Sequence, residues 1–526
     1  MPHFIGQSLP TALYTAEQVR ELDRIAIKEW GIPGIKLMKR AGRAIFDVIN
    51  HYWPGSPITV FCGAGNNGGD GYIVAALAAQ NLVPVQLVQV APADKLSGDA
   101  LTAYQYAQSS GVPMIPFGVP FSDCLEIPAG VIVDALLGTG FVSTGSGSQV
   151  REPFAQAIRL INHSELPVIA ADIPSGLGSN TGIAAEPVIE ADVTVSFIGL
   201  KQGMFTGNGP ALCGEVVYHD LSVPADIFDE MTPSSVRMQY EDLIAELPDR
   251  RRDAHKGDFG HVMVIGGDTG FGGAVAMAAE AALRTGAGLV SVATQPEHVP
   301  ALLARRPELM ARGVSSGQEL IPLLNGEIVS PSVLVIGPGL GKTPWSEQML
   351  QQALASGLPM VVDADALNIL SMGRLSIPET TKEWLITPHP GEAARLLNVA
   401  TGDIQADRFS TVKSLQKKFD CPALLKGAGS LVCTSHDALI GLCTAGNPGM
   451  ATGGMGDVLS GIVAGLMGQG VTSDKALPLG VCLHAKAADI AAQTGERGLV
   501  ATDLFGPLKE LVNGMTNRMA NEVNQE

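Results

Sequence analysis

Short apolar runs alternate with longer segments of mixed character, and the spacing of the hydrophobic positions predicts the elements. "TAEQVRELDRIAIKEW" opens on Thr15 and places Gln18 three residues on, the pattern of a capping box. Val19, Leu22, Ala26 and Trp30 then recur at helical spacing. Behind this helix come "ITVFCG", "VPVQLVQV", "GVIVDALLG", "LPVIAADIPSG" and "ADVTVSFIG", most of them separated by stretches of helical length such as "DGYIVAALAAQN" and "EPFAQAIRLINH". Near-continuous apolar strands alternating with helices predict a parallel sheet covered on both faces. Between about Asp220 and Arg252 the rhythm lapses into charge and turn residues, and it restarts with "GHVMVIGG", "AGLVSVAT", "VLVIGPG", "MVVDADAL", "WLITPHPGE" and "ALLKGAGSLVCT". The expectation is an α/β protein of two domains, residues 1–225 and 251–526, joined by a linker at 226–250.

Composition agrees. A chain of 526 residues is too long for one core, and 46% hydrophobic against 16% charged residues supports two. The net charge of -18 argues against a nucleic-acid partner, which calls for basic surface. Seven cysteines without a C-x-x-C indicate neither a disulfide framework nor a zinc site, as suits a reducing cytosol. With no apolar leader and no run of membrane length, a soluble cytoplasmic protein without a membrane partner is expected. A homo-oligomer is expected too.

The first candidate site lies at the strand ends of the first half. "CGAGNNGGDG" carries Gly63, Gly65 and Gly68 in the G-x-G-x-x-G spacing of a dinucleotide cradle. The acidic residue that should end the next strand is missing from "VPVQLVQV", which weakens a hydride-transfer reading. Asn66, Asn67, Asp70, Asp134, Asp172 and Ser175 instead bring polar groups from three strand ends, where ligands of open parallel sheets sit. Taken singly, each could be a helix cap.

"GNNGGDG", "DALLGTG" and "ADIPSG", in this order, resemble the epimerase domain of the NAD(P)H-hydrate repair enzymes over residues 10–225. The resemblance implies a Rossmann-like three-layer αβα domain. It implies that Asn66, Asn67, Gly68, Gly69 and Asp70, with Gly138, Thr139, Gly140, Phe141, Val142, Ser143 and Thr144, contact the hydrated nucleotide. By the same match Asn67, Asp134 and Ser175 hold a potassium ion, and Asp172 contacts substrate as the acid/base candidate. A positioned aspartate suits this chemistry: a hydroxyl at carbon six of a reduced nicotinamide ring is a hemiaminal, whose epimers interconvert through a cation or an opened aldehyde.

In the second half "GPGLGKT" is not a P-loop, because the first glycine of that motif would fall on Ile336. "GNPGMATGGMGDVLSG" sets Gly453, Gly454 and Gly456 ahead of Asp457 and an apolar helix. Glycines at a helix N-terminus leave N–H groups free for phosphate, and an aspartate there can take a hydroxyl proton. An isolated acid at that place would merely suit the helix dipole. G-x-G-D before a helix resembles the ribokinase-like superfamily, though "HPGE" puts His389 where many members carry Asn. Together with "HKGDFGHVMVIGG", "IGPGLG", "DADALN" and "KGAGS", the pattern is similar to the ADP-dependent NAD(P)H-hydrate dehydratases over residues 235–515. That resemblance implies a second three-layer αβα domain, with Lys426, Gly427, Ala428, Gly429, Ser430 and Gly456 at the adenine nucleotide. It assigns Ala274, Gly339, His389 and Asp457 to the hydrate, with Asp457 as catalytic base. Asp363 and Asp365 could support a magnesium ion or cap the next helix.

The implied activity is repair. NADHX and NADPHX (the hydrates of NADH and NADPH) are epimerised, and the S form is dehydrated with ADP as co-substrate, giving AMP and phosphate. The competing reading is a ribokinase-like vitamin-precursor kinase fused to a nucleotide-binding module.

Overall fold

In the computed structural model, which describes residues 5–118, 129–141, 147–327, 329–378 and 383–514, the opening capping box forms as expected. The Gln18 backbone N–H donates to Thr15 Oγ1 at 3.3 Å and the Thr15 N–H donates to Gln18 Oε1 at 3.0 Å. Helix Ala16–Lys28 buries Val19, Leu22 and Ala26. Trp30, expected on the same stripe, lies beyond the helix end and is 45% exposed. The helix stops before its next apolar turn, so the spacing overran it.

The chain divides into two compact units, Met1–Arg237 with Gln405–Asp407, and Met238–Ile404 with Arg408–Glu526. Of the segment expected as a linker, Ser235–Arg237 is a strand of the first unit and Tyr240–Ile244 a helix of the second.

The first unit is built on a parallel sheet with strands in the order Met114–Pro116, Val85–Gln89, Ile58–Cys62, Val131–Ala135, Val168–Ala171, Val193–Phe197 and Glu215–His219. Strand order reverses between Ile58–Cys62 and Val131–Ala135, which opens a crevice at their carboxyl ends. Helix Asn66–Gln80 starts in that crevice and is buried from Asn67 to Ala78, as an element apolar all round must be. A short ribbon pairs Ala12–Tyr14 with Ser235–Arg237 and with Leu200–Lys201.

The second unit orders its strands Met310–Gly313, Leu289–Thr294, His261–Ile265, Val333–Ile336, Met360–Val362, Trp384–Ile386 and Ala423–Leu425, all parallel. Antiparallel Ser430–Cys433 and Ile440–Cys443 follow. The reversal here falls between His261–Ile265 and Val333–Ile336. The buried helix Met455–Gly468 packs on helix Gly272–Thr285. A Cβ on Gly461 would lie 2.1 Å from the Ala278 carbonyl oxygen, so glycine is required for that approach. Both units are thus α/β, as the pattern predicts. No helix among the described residues is long and apolar enough to cross a membrane.

Candidate active sites

In the first unit the glycine-rich segment is not a free loop. Asn66 to Gly71 form the opening turns of helix Asn66–Gln80. The glycines are there for close approach: a Cβ on Gly68 would sit 2.1 Å from the Gly63 carbonyl oxygen, and one on Gly63 2.0 Å from that of Leu136. Turn and helix are therefore pressed against the neighbouring strand end. This spacing also occurs in dinucleotide folds, so the fingerprint matches without the ribose-binding acid.

The compression brings Asn67, Asp134 and Ser175 together. Asn67 Nδ2 donates to the Leu137 carbonyl at 3.1 Å, and the Leu137 N–H donates to Ser175 Oγ at 2.8 Å. Ser175 gives its hydroxyl (2.6 Å) and its backbone N–H (2.8 Å) to the two oxygens of Asp134. Burial pushes the Asp134 carboxyl up to about 6 against those bonds. Asn67 Oδ1 is buried with no hydrogen-bond partner among the described residues. A buried amide oxygen left unpaired costs on the order of 1–3 kcal/mol. Tied through Leu137 to Ser175 and so to Asp134, it is an oxygen donor of the kind a hard cation takes.

Asp172 stands at the end of strand Val168–Ala171 with φ +65°, a strained position for a non-glycine residue. Its carboxylate accepts from the Phe197 N–H at 3.2 Å and from the Lys201 ammonium. Lys201 is fully buried and also donates to Ser196 Oγ (3.1 Å) and the Phe197 carbonyl (3.3 Å). Asp70 and Asp23 complete the cluster. Burial first, then the charge of Asp172, pushes Asp70 well above the carboxylate range and Asp23 up to about 6, while Lys201 opposes both. Gly138, Thr139 and Phe141 line the adjoining turn, where Arg20 donates to the Thr139 carbonyl at 3.3 Å; Gly140 and Asn66 are exposed. Val142, Ser143 and Thr144 lie outside the described residues. Sequence reading missed Lys201 and Asp23. A lysine directly after the apolar run "ADVTVSFIGL" was the available signal.

In the second unit Asp363 begins helix Ala364–Ser371, yet its side chain makes no cap bond. One oxygen accepts from Lys426 Nζ at 2.6 Å and the other from Ser460 Oγ at 2.7 Å. Of the two readings offered for this aspartate, capping is the one its geometry does not follow. Asp365 accepts from the Gly341 N–H at 3.0 Å and so fixes the "GPGLG" turn. A Cβ on Gly456 would lie 3.3 Å from Lys426 Nζ, which places the glycine-rich helix start beside this pair. Asp457 follows, its carboxyl pushed up to about 7 by burial and then by Asp363, with Lys426 opposing.

The segment Lys426–Gly429 is braced from below. Arg408, 1% exposed, donates to the carbonyls of Leu425 (3.4 Å), Lys426 (3.3 Å) and Gly429 (3.3 Å). Ala428 is exposed, and Ser430 donates to the Gly427 carbonyl at 3.1 Å. Arg408 and Ser460 were not legible as site residues. Gly339, at φ +55°, abuts Ala274: an added Cβ would approach the Ala274 Cβ to 3.0 Å. His389 caps helix Pro390–Leu397, accepting from the Gly391 N–H at 3.0 Å and pairing with Glu392. Burial and the nearby Lys426 hold its imidazole below the usual range, so it is a neutral ring near pH 7.

Comparison with known proteins follows the same division. The family described as YjeF-related protein N-terminus matches residues 34–203, and that described as NAD(P)H-hydrate dehydratase matches residues 262–509. The bifunctional NAD(P)H-hydrate repair enzyme of Coxiella burnetii is 45% identical, over 96% of this chain and all of its own length. That of Escherichia coli is 40% identical, over 96% of this chain and 95% of its own. Among solved structures, an ADP/ATP-dependent NAD(P)H-hydrate dehydratase from Bacillus subtilis, co-crystallised with ATP and Mg2+, covers 53% of this chain and 97% of its own at 26% identity, with a TM-score of 0.47. On identity over nearly its whole length, this chain belongs to the bifunctional NAD(P)H-hydrate repair enzymes.

Proposed function

We propose that the first unit interconverts the R and S epimers of NADHX and NADPHX, and that the second dehydrates the S form at the expense of ADP. In the first, Asn66 to Asp70 and Gly138 to Phe141, continuing through Val142, Ser143 and Thr144, would hold the hydrated nucleotide. Asp172 would take the ring hydroxyl proton. Asn67, Asp134 and Ser175 would hold potassium; the unpartnered Asn67 Oδ1 supports an oxygen-seeking cation there. Bound, such an ion supplies fixed positive charge beside the substrate pocket.

In the second unit Lys426 to Ser430 and Gly456 would hold ADP, and Ala274, Gly339 and His389 the hydrate. Asp457 would deprotonate the ring hydroxyl as that oxygen attacks the terminal phosphorus. The P–O bond to AMP breaks, and the helix N-terminus holds the transferring oxygens. Phosphate is then expelled from C6 by electron donation from the ring nitrogen, and loss of a proton from C5 of the resulting iminium forms the C5=C6 bond and restores the dihydronicotinamide. Both oxygens of Asp363 are engaged by Lys426 and Ser460. That fits a magnesium ion carried mainly by nucleotide phosphates and waters, the usual habit of this ion.

The observation that carries the reading is Asp457: a carboxyl titrating at about 7, at a glycine-lined helix start beside a lysine–aspartate pair. A general base works best with its pKa near the working pH. The test incubates mixed epimers with and without ADP and follows recovery of reduced-nicotinamide absorbance. Asp457→Ala should abolish recovery and leave epimer exchange intact. Loss of both activities in a folded variant, or formation of a stable phosphorylated vitamin precursor by the wild type instead, would overturn it.

A further inference from the structure

The first site holds more acid than one proton transfer needs. Asp23 on helix Ala16–Lys28, Asp70 on helix Asn66–Gln80 and Asp172 after strand Val168–Ala171 act on one another, and the cation that acts on all three is Lys201. The Cys62 thiol, beneath Asp70, is pushed up by burial and by that carboxyl. Lys201 is bonded to only one of the three acids, Asp172; its other bonds go to Ser196 and the Phe197 carbonyl. Its place is set by the short strand Leu200–Lys201, where Lys201 is in register with Tyr14. Asp70 is 8% exposed, and its carboxyl makes no hydrogen bond to any described residue. A buried carboxyl without a partner keeps its proton.

We propose that Lys201 is a positioning residue of the epimerase site, which by bonding Asp172 alone selects that carboxylate as the base and leaves Asp70 as the proton-bearing partner that meets the substrate. The proposal rests on the epimerase reading above and deepens it. Opening a hemiaminal requires both partners at once. Asp172 takes the hydroxyl proton as the C6–O bond becomes a carbonyl and the C6–N1 bond breaks; Asp70 gives its proton to N1. The aldehyde turns. N1 then attacks the other face, returning its proton to Asp70, and the carbonyl oxygen recovers the proton from Asp172. Both side chains end as they began, so no further reactant is needed. Pairs of carboxyls driven to opposite protonation states are how one site runs acid and base chemistry together.

The experiment uses the full chain and separated R and S hydrates, with epimer exchange above the uncatalysed rate measured from pH 5 to 9. The variants are Lys201→Met and Asp70→Asn. Removing the ammonium leaves the carboxyl cluster holding its protons to higher pH. In Lys201→Met, exchange at pH 7 should fall at least tenfold, the acid limb of the profile should move up by about one pH unit, and KM for the hydrate should change less than threefold. A lysine serving packing alone would lower the rate equally at every pH, and that result overturns the proposal. Asp70→Asn should lose exchange at least tenfold at every pH with KM nearly unchanged; retained exchange overturns the assignment of Asp70. If Lys201→Met does not fold, Lys201→Gln, which removes the charge and keeps a hydrogen-bond donor, is read by the same shift of the acid limb, and an unshifted limb overturns the role given to Lys201. Absence of exchange in the wild type would instead sink the epimerase reading itself.

Discussion

Asp457 should weaken the fold that carries it. Its carboxyl titrates at about 7 in the folded protein against an ordinary 3.8, chiefly because burial penalises the charged form. The folded state therefore holds this proton more tightly than the unfolded chain does. Below about pH 4 the carboxyl is protonated in both states and costs nothing. As pH rises toward 7 the unfolded chain releases the proton first, and stability falls. At about 1.36 kcal/mol per pH unit, the gap between the two values gives at most about 4 kcal/mol. The side chain is partly exposed, and solvent screening brings the expected penalty to about 1–3 kcal/mol. Asp457→Asn keeps the shape and removes the titration. Relative to wild type, the variant should gain stability progressively between pH 4 and 7.5 and lose dehydratase activity throughout. Urea unfolding of the full chain can be followed by fluorescence of Trp345 and Trp384, both buried in the second unit. A stability difference that is constant with pH, or that shrinks as pH rises, would refute the reasoning.

Two further outcomes follow from packing. Gly68→Ala places a methyl 2.1 Å from the Gly63 carbonyl oxygen, where only backbone can give way. The first unit should lose about 2 kcal/mol or more, and epimer exchange should fall while dehydration of the S form continues; both are read by thermal unfolding and separate assays. Arg408→Met removes the donor that ties the carbonyls of Leu425, Lys426 and Gly429. KM for ADP should rise severalfold with a smaller change in kcat in steady-state kinetics, and an unchanged KM would mean the segment holds itself.

Much of this was legible because it is local. Apolar runs of strand length marked both sheets, and the polar residues that end them (Asn67, Asp134, Asp172 and Ser175) stand at the crevice as expected. What escaped the sequence depends on pairing over long range. Lys201 reads as a stray charge after an apolar run. Only its register with Tyr14 and its bond back to Asp172, 29 positions earlier, make it part of a site. Arg408 lies on a helix of mixed character, and nothing in its neighbourhood announces the carbonyls it gathers from Leu425 onward. Asp363 shows the opposite failure. Its position at a helix start fits a cap, but Lys426 and Ser460 outcompete the helix N–H groups for its oxygens.

The two units share a physical device without sharing motifs. Each gathers several carboxyls beyond the carboxyl ends of its strands and bonds a lysine to one of them, Lys201 to Asp172 and Lys426 to Asp363. In a poorly solvated crevice burial penalises the charged carboxyl, and the acids without a lysine bond, Asp70 and Asp23 in the first unit and Asp457 in the second, are pushed up while the lysine opposes the shift. The chemistry then selects different members. Opening a hemiaminal needs an acid and a base in the same instant, which suits the lysine-bonded Asp172 working beside the unpaired Asp70. Phosphorylating the same hydroxyl needs one base strong enough to take its proton, and the lysine's charge is wanted at the phosphates. In the proposed reaction the unpaired Asp457, its carboxyl pushed up to about 7, would be the better base, while Asp363 holds Lys426 at the helix start. On the proposed roles, the same arrangement of charge would serve two reactions on one substrate, the unpaired acid giving its proton in one unit and taking one in the other.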